Sequence, residues 1–306
     1  MKKFVLKALF LAVIILCIDS LFGAAMQQIL YHTEKGDWGR NNYITNELKS
    51  DIIILGSSRA IHHYDPKIFS DSLGLSCYNG GEDGMGIILM YARYKHICER
   101  QIPKLVIYEF LPSYDYAEED DSRYLRFLRP LSHNTITDSI IYNVSPLEKY
   151  KLISRLYAYN SFFIDILSQR YSKARLTAQD YTFAPLNGEM AYQPHLGKDG
   201  VEIPKADSLK LKYMEKLIHD CKQNGTQLIF VTSPIYFGLW NTSFDWLNQV
   251  CEENNIDYYN HYFDTVFYKK TTLFTDSYHL NKQGAETFSR LLSHEIKKDS
   301  RYLEGE

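Results

Sequence analysis

The sequence lacks an excess of charge of either sign. Its 34 lysines and arginines nearly balance its 37 aspartates and glutamates, which gives a formal net charge of −3. Because the two signs are interspersed, we expect no basic surface of the kind that binds nucleic acid. The chain also contains no internal repeat and no low-complexity tract. With 45% apolar residues among 306, it can bury a full core as one large domain or two smaller ones.

Cysteines are few, and those in the body of the chain, Cys77, Cys98, Cys221 and Cys251, are widely spaced. This spacing argues against a disulfide-stapled scaffold and against a zinc site. We interpret them as small buried apolar side chains, with disulfide pairing in an oxidising compartment as the alternative. The sequence predicts neither a bound metal nor a cofactor.

The first 25 residues form a basic start followed by an unbroken apolar run. As a helix, Phe4 to Ala25 would extend about 33 Å, enough to cross a bilayer core of roughly 30 Å. We therefore predict an N-terminal membrane anchor over residues 1–25, with Lys7 at the cytoplasmic interface and Asp19 near the opposite one. Everything after residue 25 then lies outside the cytoplasm. The small residues at positions 23–25 leave signal cleavage and secretion as the alternative.

Aliphatic runs alternate with amphipathic stretches along most of the chain. This alternation predicts an α/β fold, a three-layer sandwich around a mainly parallel sheet of about five strands. We expect a polar stalk at 26–50, a main domain at 51–298 and a tail at 299–306. A largely helical segment at 117–205 is predicted to be an insertion on the sheet, not a separately folding domain. The expected strands are 52–55, 75–78, 104–112, 227–237 and 256–262, and the expected helices are 87–97, 206–224 and a last helix capped by Asn281.

A serine follows the first predicted strand, in the sequence Gly56-Ser57-Ser58. Ligands of open α/β sheets bind beyond the carboxyl ends of the strands, and a serine there needs a base and an orienting acid to act as a nucleophile. Asp276 and His279, three residues apart before the last helix, are the candidates, because side chains at that spacing fall on one side of a turn. Each signal alone also fits an ordinary turn residue, a capping aspartate or an exposed histidine.

These motifs resemble the SGNH (GDSL-like) hydrolase superfamily, particularly its membrane-anchored extracytoplasmic branch, which includes proteins of alginate O-acetylation and teichoic-acid D-alanylation. The resemblance covers roughly residues 50–116 and 206–298, and the stretch "FVTSPIY" is similar to the fourth strand of that branch. It implies that Ser58 is the nucleophile, His279 the base and Asp276 the orienting acid. Asn79-Gly80-Gly81 matches the second block of the family, which implies that the Gly81 amide joins the Ser58 amide in binding the oxyanion.

The third block of the family departs from the pattern. The family has an asparagine after its third strand, whereas this chain continues Glu109-Phe110-Leu111-Pro112-Ser113. Loss of one oxyanion donor lowers turnover by about 10²- to 10³-fold. Three alternatives follow. The amides of Ser58 and Gly81 are sufficient as oxyanion donors, Ser113 takes the place of the asparagine, or the protein has lost its activity. Hydrolysis, acyl transfer and a silent protein therefore all remain open.

Other polar residues near the serine are candidates for substrate contacts. Arg59 either holds an acidic sugar or pairs with an acid of a neighbouring loop. Asn79 is a further candidate contact. His62 and His63 either touch substrate or a metal or are structural, and a structural role is favoured because adjacent histidines on one element chelate poorly.

The resemblance implies a membrane-anchored serine esterase or O-acyltransferase that acts on an exported polysaccharide or cell-envelope glycan, on the periplasmic or extracellular face of a bacterial inner membrane. It also implies a multi-spanning membrane acyltransferase as a partner. The alternative is a catalytically silent SGNH-like protein that binds or assembles an exopolysaccharide machine.

The insertion is expected to form the acceptor groove, with Tyr181, Phe183 and Tyr192 facing Ser58. The alternative is that it packs elsewhere, or against the membrane, and only enlarges the core.

Overall fold

In a computed structural model, the structure describes residues 1–174, 177, 179, 183–191, 205–237 and 243–299. The chain divides into two compact units. The first combines Met1–Glu47 with Asp121–Tyr181, and the second combines Leu48–Asp120 with Thr182–Glu306.

A five-stranded parallel sheet organises the second unit, with strand order β2-β1-β3-β4-β5. Its strands are β1 (Ile52–Gly56), β2 (Cys77–Asn79), β3 (Leu105–Glu109), β4 (Gln227–Thr232) and β5 (Asp257–Asn260). Strands β1 and β3 are buried along their whole length, as their continuous aliphatic sequences require. The predicted α/β class, the parallel sheet and the number of strands are confirmed.

Helices precede the first strand, connect the strands and follow the last strand along the chain. Within the described residues the α-helices are α1 (Lys2–Tyr31), α2 (Gly36–Asn46), α3 (Ser58–His63), α4 (Pro66–Leu73), α5 (Ile87–Cys98), α6 (Pro112–Asp115), α7 (Thr135–Val144), α8 (Glu148–Lys151), α9 (Arg155–Ala158), α10 (Phe163–Arg170), α11 (Ser208–Asn224), α12 (Ser243–Asn254) and α13 (Lys282–Lys298). Short 3₁₀ turns lie at Asp121–Leu125, Arg129–Leu131 and Thr271–Leu273.

The last helix shows how the sequence pattern builds the core. The side chain of Asn281 accepts a hydrogen bond from the Gly284 amide at 3.0 Å, which confirms the predicted cap. The buried face of α13 carries Phe288, Leu292 and Ile296, which join the aliphatic residues of β1, β3 and β4 in one core cluster. Burial of three such side chains contributes roughly 5–9 kcal/mol of transfer free energy.

All strands run in one direction, so their carboxyl ends meet at a single edge of the sheet. Gly56 pairs with Glu109, and Glu109 pairs with Val231, so the ends of β1, β3 and β4 lie side by side. Residues that follow these three strands are therefore neighbours although they lie far apart in sequence.

The first unit is helical. Within the described residues, α1 is the one helix that is long and apolar enough to cross a membrane. Residues expected to form a stalk instead continue α1 to Tyr31 and build α2. The indole of Trp38 in α2 is fully buried and packs against Phe127 and Phe162, at ring distances of 5.1 and 5.4 Å. Because these aromatic partners come from the predicted insertion, residues 121–181 fold with the N-terminal helices.

Candidate active site

Ser58 stands at the edge of the sheet where β1 ends. The turn before it requires glycine, because Gly56 has φ of +141° and a Cβ there would lie 2.6 Å from the carbonyl oxygen of Glu109. The chain then enters α3, whose first residue is Ser58. The serine is half-buried, so its hydroxyl group is held by the fold and is also reachable from solvent.

The residues predicted from the two ends of the chain come together here. His279 Nε2 lies 3.0 Å from Ser58 Oγ, and His279 Nδ1 lies 2.9 Å from Asp276 Oδ2. Because a carboxylate only accepts hydrogen bonds, Nδ1 carries the proton and Nε2 is free to accept the serine proton. This is the arrangement of a nucleophile, a general base and an orienting acid.

The loop that carries the base is organised by Asp276. Its Oδ1 accepts hydrogen bonds from the backbone amides of Tyr278 at 2.8 Å and His279 at 2.9 Å. Burial alone would raise the pKa of Asp276, but the hydrogen bonds from the His279 ring and from these amides lower it below its usual value. The aspartate is therefore ionised at neutral pH, as an orienting acid must be.

The site opens directly to solvent. The Asp276 side chain is 51% exposed and the His279 side chain 24%, and Tyr278 between them is also exposed. Such a shallow site leaves room for a substrate that extends beyond the reacting group.

The second block lies beside α3 but is engaged in packing. The Gly81 amide donates to Asn79 Oδ1 at 3.0 Å, and Asn79 Nδ2 donates to the carbonyl oxygens of Ala60 and Tyr64 at 2.7 and 3.0 Å. Asn79 is fully buried, so the structure gives it a structural role in place of the expected substrate contact. Glycine is required at position 81, since a Cβ would lie 2.7 Å from that of Ala60. The oxyanion role of Gly81 stays a prediction.

Glu109, the last residue of β3, belongs to a buried polar cluster. Its carboxylate accepts hydrogen bonds from the Ser233 amide at 3.0 Å, the Ser233 hydroxyl at 2.9 Å and the Tyr64 hydroxyl. Arg59 Nε lies 3.1 Å from Glu109 Oε1, and Arg59 also donates to the Ser233 carbonyl. Arg59 is 1% exposed. Of its two predicted roles, the structure favours pairing with a neighbouring acid over substrate binding.

His63 links this cluster to the loop of the base. The Leu280 amide donates to His63 Nε2 at 3.0 Å, so Nδ1 carries the ring proton and donates to Ser233 Oγ at 2.7 Å. Burial lowers the pKa of His63 well below its usual value, and cationic neighbours, Arg59 first, lower it further. A neutral His63 therefore holds the residue next to His279, which is the structural role favoured by the sequence.

His62 faces the other way and has two acceptors. Its Nδ1 lies 2.5 Å from the Ala184 carbonyl oxygen and its Nε2 lies 2.9 Å from Asp83 Oδ1. Burial lowers its pKa, but the hydrogen bonds to Asp83 and Ala184 outweigh this effect and raise it overall. The ring packs edge-to-face on the His279 ring at 5.8 Å, so His62 adjoins the proposed base.

Stability should therefore depend on pH through His62. Because its folded-state pKa is raised, the stabilisation it gives is fully present below the unfolded-state value of 6.5 and is lost as the pH rises through the folded-state pKa. We expect His62→Gln to lower the thermal midpoint more at about pH 5.5 than at about pH 9. Thermal melts of both proteins at each pH measure this difference. An equal loss at both pH values would contradict it.

Part of the predicted acceptor groove lies in the described structure. Phe183 is half-buried against the core of the second unit, and the Ala184 amide donates to the Ile61 carbonyl of α3 at 3.3 Å. Tyr181 and Tyr192 lie outside the described residues. Ser113 is an exposed residue of α6. The groove and the contribution of Ser113 stay predictions.

The cysteines are all unpaired, with Cys221 and Cys251 buried, which agrees with their interpretation as small apolar side chains. Burial raises the pKa of both thiols to about 12. They are therefore unreactive thiols at neutral pH.

No protein-family model and no curated protein matches this chain. Among solved structures, a Bacteroides fragilis NCTC 9343 protein described as a "putative acylhydrolase" is similar to it with a TM-score of 0.41 and 11% identity, over 85% of this chain and 93% of that one. A Desulfitobacterium hafniense DCB-2 protein described as a "putative lipolytic protein of G-D-S-L family" has a TM-score of 0.40 and 12% identity, over 80% of this chain and 98% of its own.

Proposed function

We propose that this chain is a membrane-anchored serine esterase or O-acyltransferase of the SGNH hydrolase superfamily that acts on an exported polysaccharide or cell-envelope glycan. The observation that carries the proposal is the continuous hydrogen-bonded series from Asp276 through His279 to Ser58. The exposed setting of this series suits a polymer, which cannot be enclosed in a pocket.

The proposed reaction has two halves. In the first, Ser58 Oγ attacks the acyl carbonyl while its proton moves to His279 Nε2, and Asp276 stabilises the imidazolium that forms. The proton on Nε2 then passes to the departing oxygen, which leaves as an alcohol, and the acyl group stays on Ser58 as an ester. In the second half, water or a glycan hydroxyl gives its proton to Nε2 and attacks the acyl carbonyl. The bond from the acyl carbon to Ser58 Oγ then breaks, and Nε2 returns the proton to Oγ, which regenerates Ser58.

The oxyanion of each tetrahedral intermediate needs donors, and the amides of Ser58 and Gly81 are the proposed ones. The Ser58 amide lies in the first turn of α3, where helix N–H groups have no acceptor within the helix. The Gly81 amide would have to exchange its bond with Asn79 for the oxyanion. With no asparagine in the third block, we expect a slow enzyme, and acyl transfer to a bound acceptor fits a slow acyl-enzyme better than rapid hydrolysis does.

The same departure favours a second candidate function, a silent protein that binds or assembles an exopolysaccharide machine. Glu109 is fully buried and accepts hydrogen bonds from Ser233, and a carboxylate has no proton to donate to an oxyanion. A protein that kept the serine and histidine but lost its oxyanion donors would bind a glycan without turning it over.

The location and partner are part of the proposal. The length and apolar composition of α1 and the lysines in its first two turns support a single span with the second unit outside the cytoplasm, at a bacterial inner membrane. A multi-spanning membrane acyltransferase is the proposed acyl donor.

Labelling with a fluorophosphonate probe tests the enzyme against the silent protein. The probe phosphonylates only a serine that an adjacent base activates. We expect the full-length protein to be labelled, and His279→Ala to abolish labelling. The matched control is His294→Ala, because His294 is an exposed histidine of α13. Absence of labelling in the folded wild-type protein across the pH range would favour the silent protein.

A further inference from the structure

Large apolar side chains are exposed along one stretch of the first unit, outside α1. Residues 147–164 leave Ile153 73% exposed, Leu147 and Ile164 65%, and Leu156 45%. Several exposed apolar side chains in one stretch of a folded unit indicate a surface that contacts a membrane or another protein.

Asp19 of α1 ties this stretch to the apolar helix. Its carboxylate accepts hydrogen bonds from Ser154 Oγ at 2.6 Å and from the amides of Arg155 and Leu156 at 2.9 and 3.0 Å. The backbones approach closely here, since a Cβ on Gly23 would lie 2.3 Å from Cβ of Arg155. The start of α9 is therefore fixed against residues 19–23 of α1.

A second contact fixes α10 at the same level of α1. The ring of Phe22 meets the ring of Phe163 edge-on at 6.2 Å. From Gly23 onward α1 has buried residues, whereas Ile18 and Leu21 are exposed. The exposed apolar part of α1 therefore ends at the residues where α9 and α10 begin to pack on the helix.

The depth of these contacts follows from the length of the helix. From Phe4 to Phe22 the rise is about 27 Å, close to the thickness of a hydrocarbon core of roughly 30 Å. Asp19 then lies about one turn inside the apolar layer, where an unpaired carboxylate is strongly unfavourable. The three donors that satisfy it must lie at the same depth.

We propose that residues 147–164 form a membrane-contact surface that lies in the lipid leaflet at the carboxyl end of α1. Exposed apolar residues lie on both sides of this contact. Leu156 itself donates to Asp19 and Ile153 precedes Ser154, while Ile18 and Leu21 lie close to Asp19 in α1. The inference rests on the membrane span of α1, which belongs to the proposed function. The surface anchors the first unit at a second place and holds it against the bilayer.

Lipid quenching of an introduced tryptophan tests this surface. We place the full-length Ile153→Trp protein in nanodiscs with and without brominated phosphatidylcholine and subtract the signal of the three native tryptophans. Leu21→Trp is the matched control, since Leu21 is 71% exposed and lies on the predicted span itself. Aqueous iodide is the second quencher.

The proposal expects the tryptophans introduced at both positions to be quenched by the brominated lipid and shielded from iodide. The proposal is overturned if the brominated lipid quenches only the tryptophan at position 21 while iodide quenches the tryptophan at position 153. The surface then does not contact lipid, and a protein partner is what covers it. If the one at position 21 also fails to be quenched by lipid, the span and with it the proposed anchoring are wrong. Far-ultraviolet circular dichroism checks that each variant is folded.

A second substitution tests the part played by Asp19. In the Ile153→Trp background, Asp19→Ala removes the acceptor of the three hydrogen bonds that hold the start of α9. We expect lipid quenching at position 153 to fall at least twofold, while quenching at position 21 in the corresponding Leu21→Trp background is unchanged. Unchanged quenching at position 153 would overturn the role of Asp19.

Discussion

Replacing Ser58 with alanine is expected to abolish turnover of a small activated aryl ester, with a loss in kcat on the order of 10⁴-fold or more. Without Oγ there is no atom to carry the acyl group, and His279 loses the hydroxyl from which it takes a proton at 3.0 Å. The fold is preserved, because Ser58 is half-buried at the first position of α3 and alanine is a favourable helix residue. Initial rates at saturating ester measure the loss.

Ser57→Ala is the matched control for this experiment. Ser57 precedes the nucleophile, and its buried hydroxyl has no hydrogen-bond partner within the described structure, so its removal leaves no group unpaired. We expect wild-type turnover from this variant. Full activity in Ser58→Ala would show that another residue is the nucleophile, and loss of activity in both variants would show that the turn after β1, not the hydroxyl, is what matters.

The elements that could be predicted are those whose signal is local. The aliphatic residues of β1, β3 and β4 are buried in strands, and Asn281 caps the last helix. The proximity of Ser58 to His279 was predictable for a topological reason, since every parallel strand ends at the same edge of the sheet. The predicted strand at 227–237 ends early, at Thr232, because Pro234 has no N–H to continue the ladder.

The helical unit was not predictable in this way. The segment that holds α2 is polar, and its one large anchor, Trp38, is buried only because Phe127 and Phe162 pack on it from more than 80 residues away. The pattern of apolar residues within 26–50 does not predict which aromatic residues pack on Trp38. The one local signal was Asp19, a carboxylate inside an apolar helix, which needs donors from elsewhere in the chain.

Glu109 carries a similar signal in the sequence, which indicates a buried polar cluster. A carboxylate that ends a strand of buried aliphatic residues has to be paired. Its partners, Arg59, Tyr64 and Ser233, come from α3, the residue after it and the end of β4. Because these positions lie far apart in the sequence, no local pattern predicts which residues form the cluster.

Replacing Glu109 with alanine is expected to lower the free energy of unfolding by about 3–5 kcal/mol, since it leaves the buried guanidinium of Arg59 without its counter-charge. It also removes the acceptor of the Ser233 amide and of the Tyr64 hydroxyl. Urea unfolding of the full-length protein, followed by circular dichroism, measures the change. The matched control is Asp71→Ala, which breaks an exposed ion pair with Lys67 and is expected to leave the unfolding midpoint unchanged.

A double variant separates the unpaired charge from the lost packing. In Arg59→Met with Glu109→Leu, both charges are gone and apolar side chains fill the space, so stability should exceed that of Glu109→Ala. If instead the double variant is less stable by the sum of the losses in Arg59→Met and Glu109→Leu measured singly, the two side chains do not interact and the pairing is wrong. The cluster also ends at His63, which holds the Leu280 amide beside His279. Glu109 therefore couples the stability of the sheet edge to the position of the proposed base, and ester turnover should fall in every variant that loosens it.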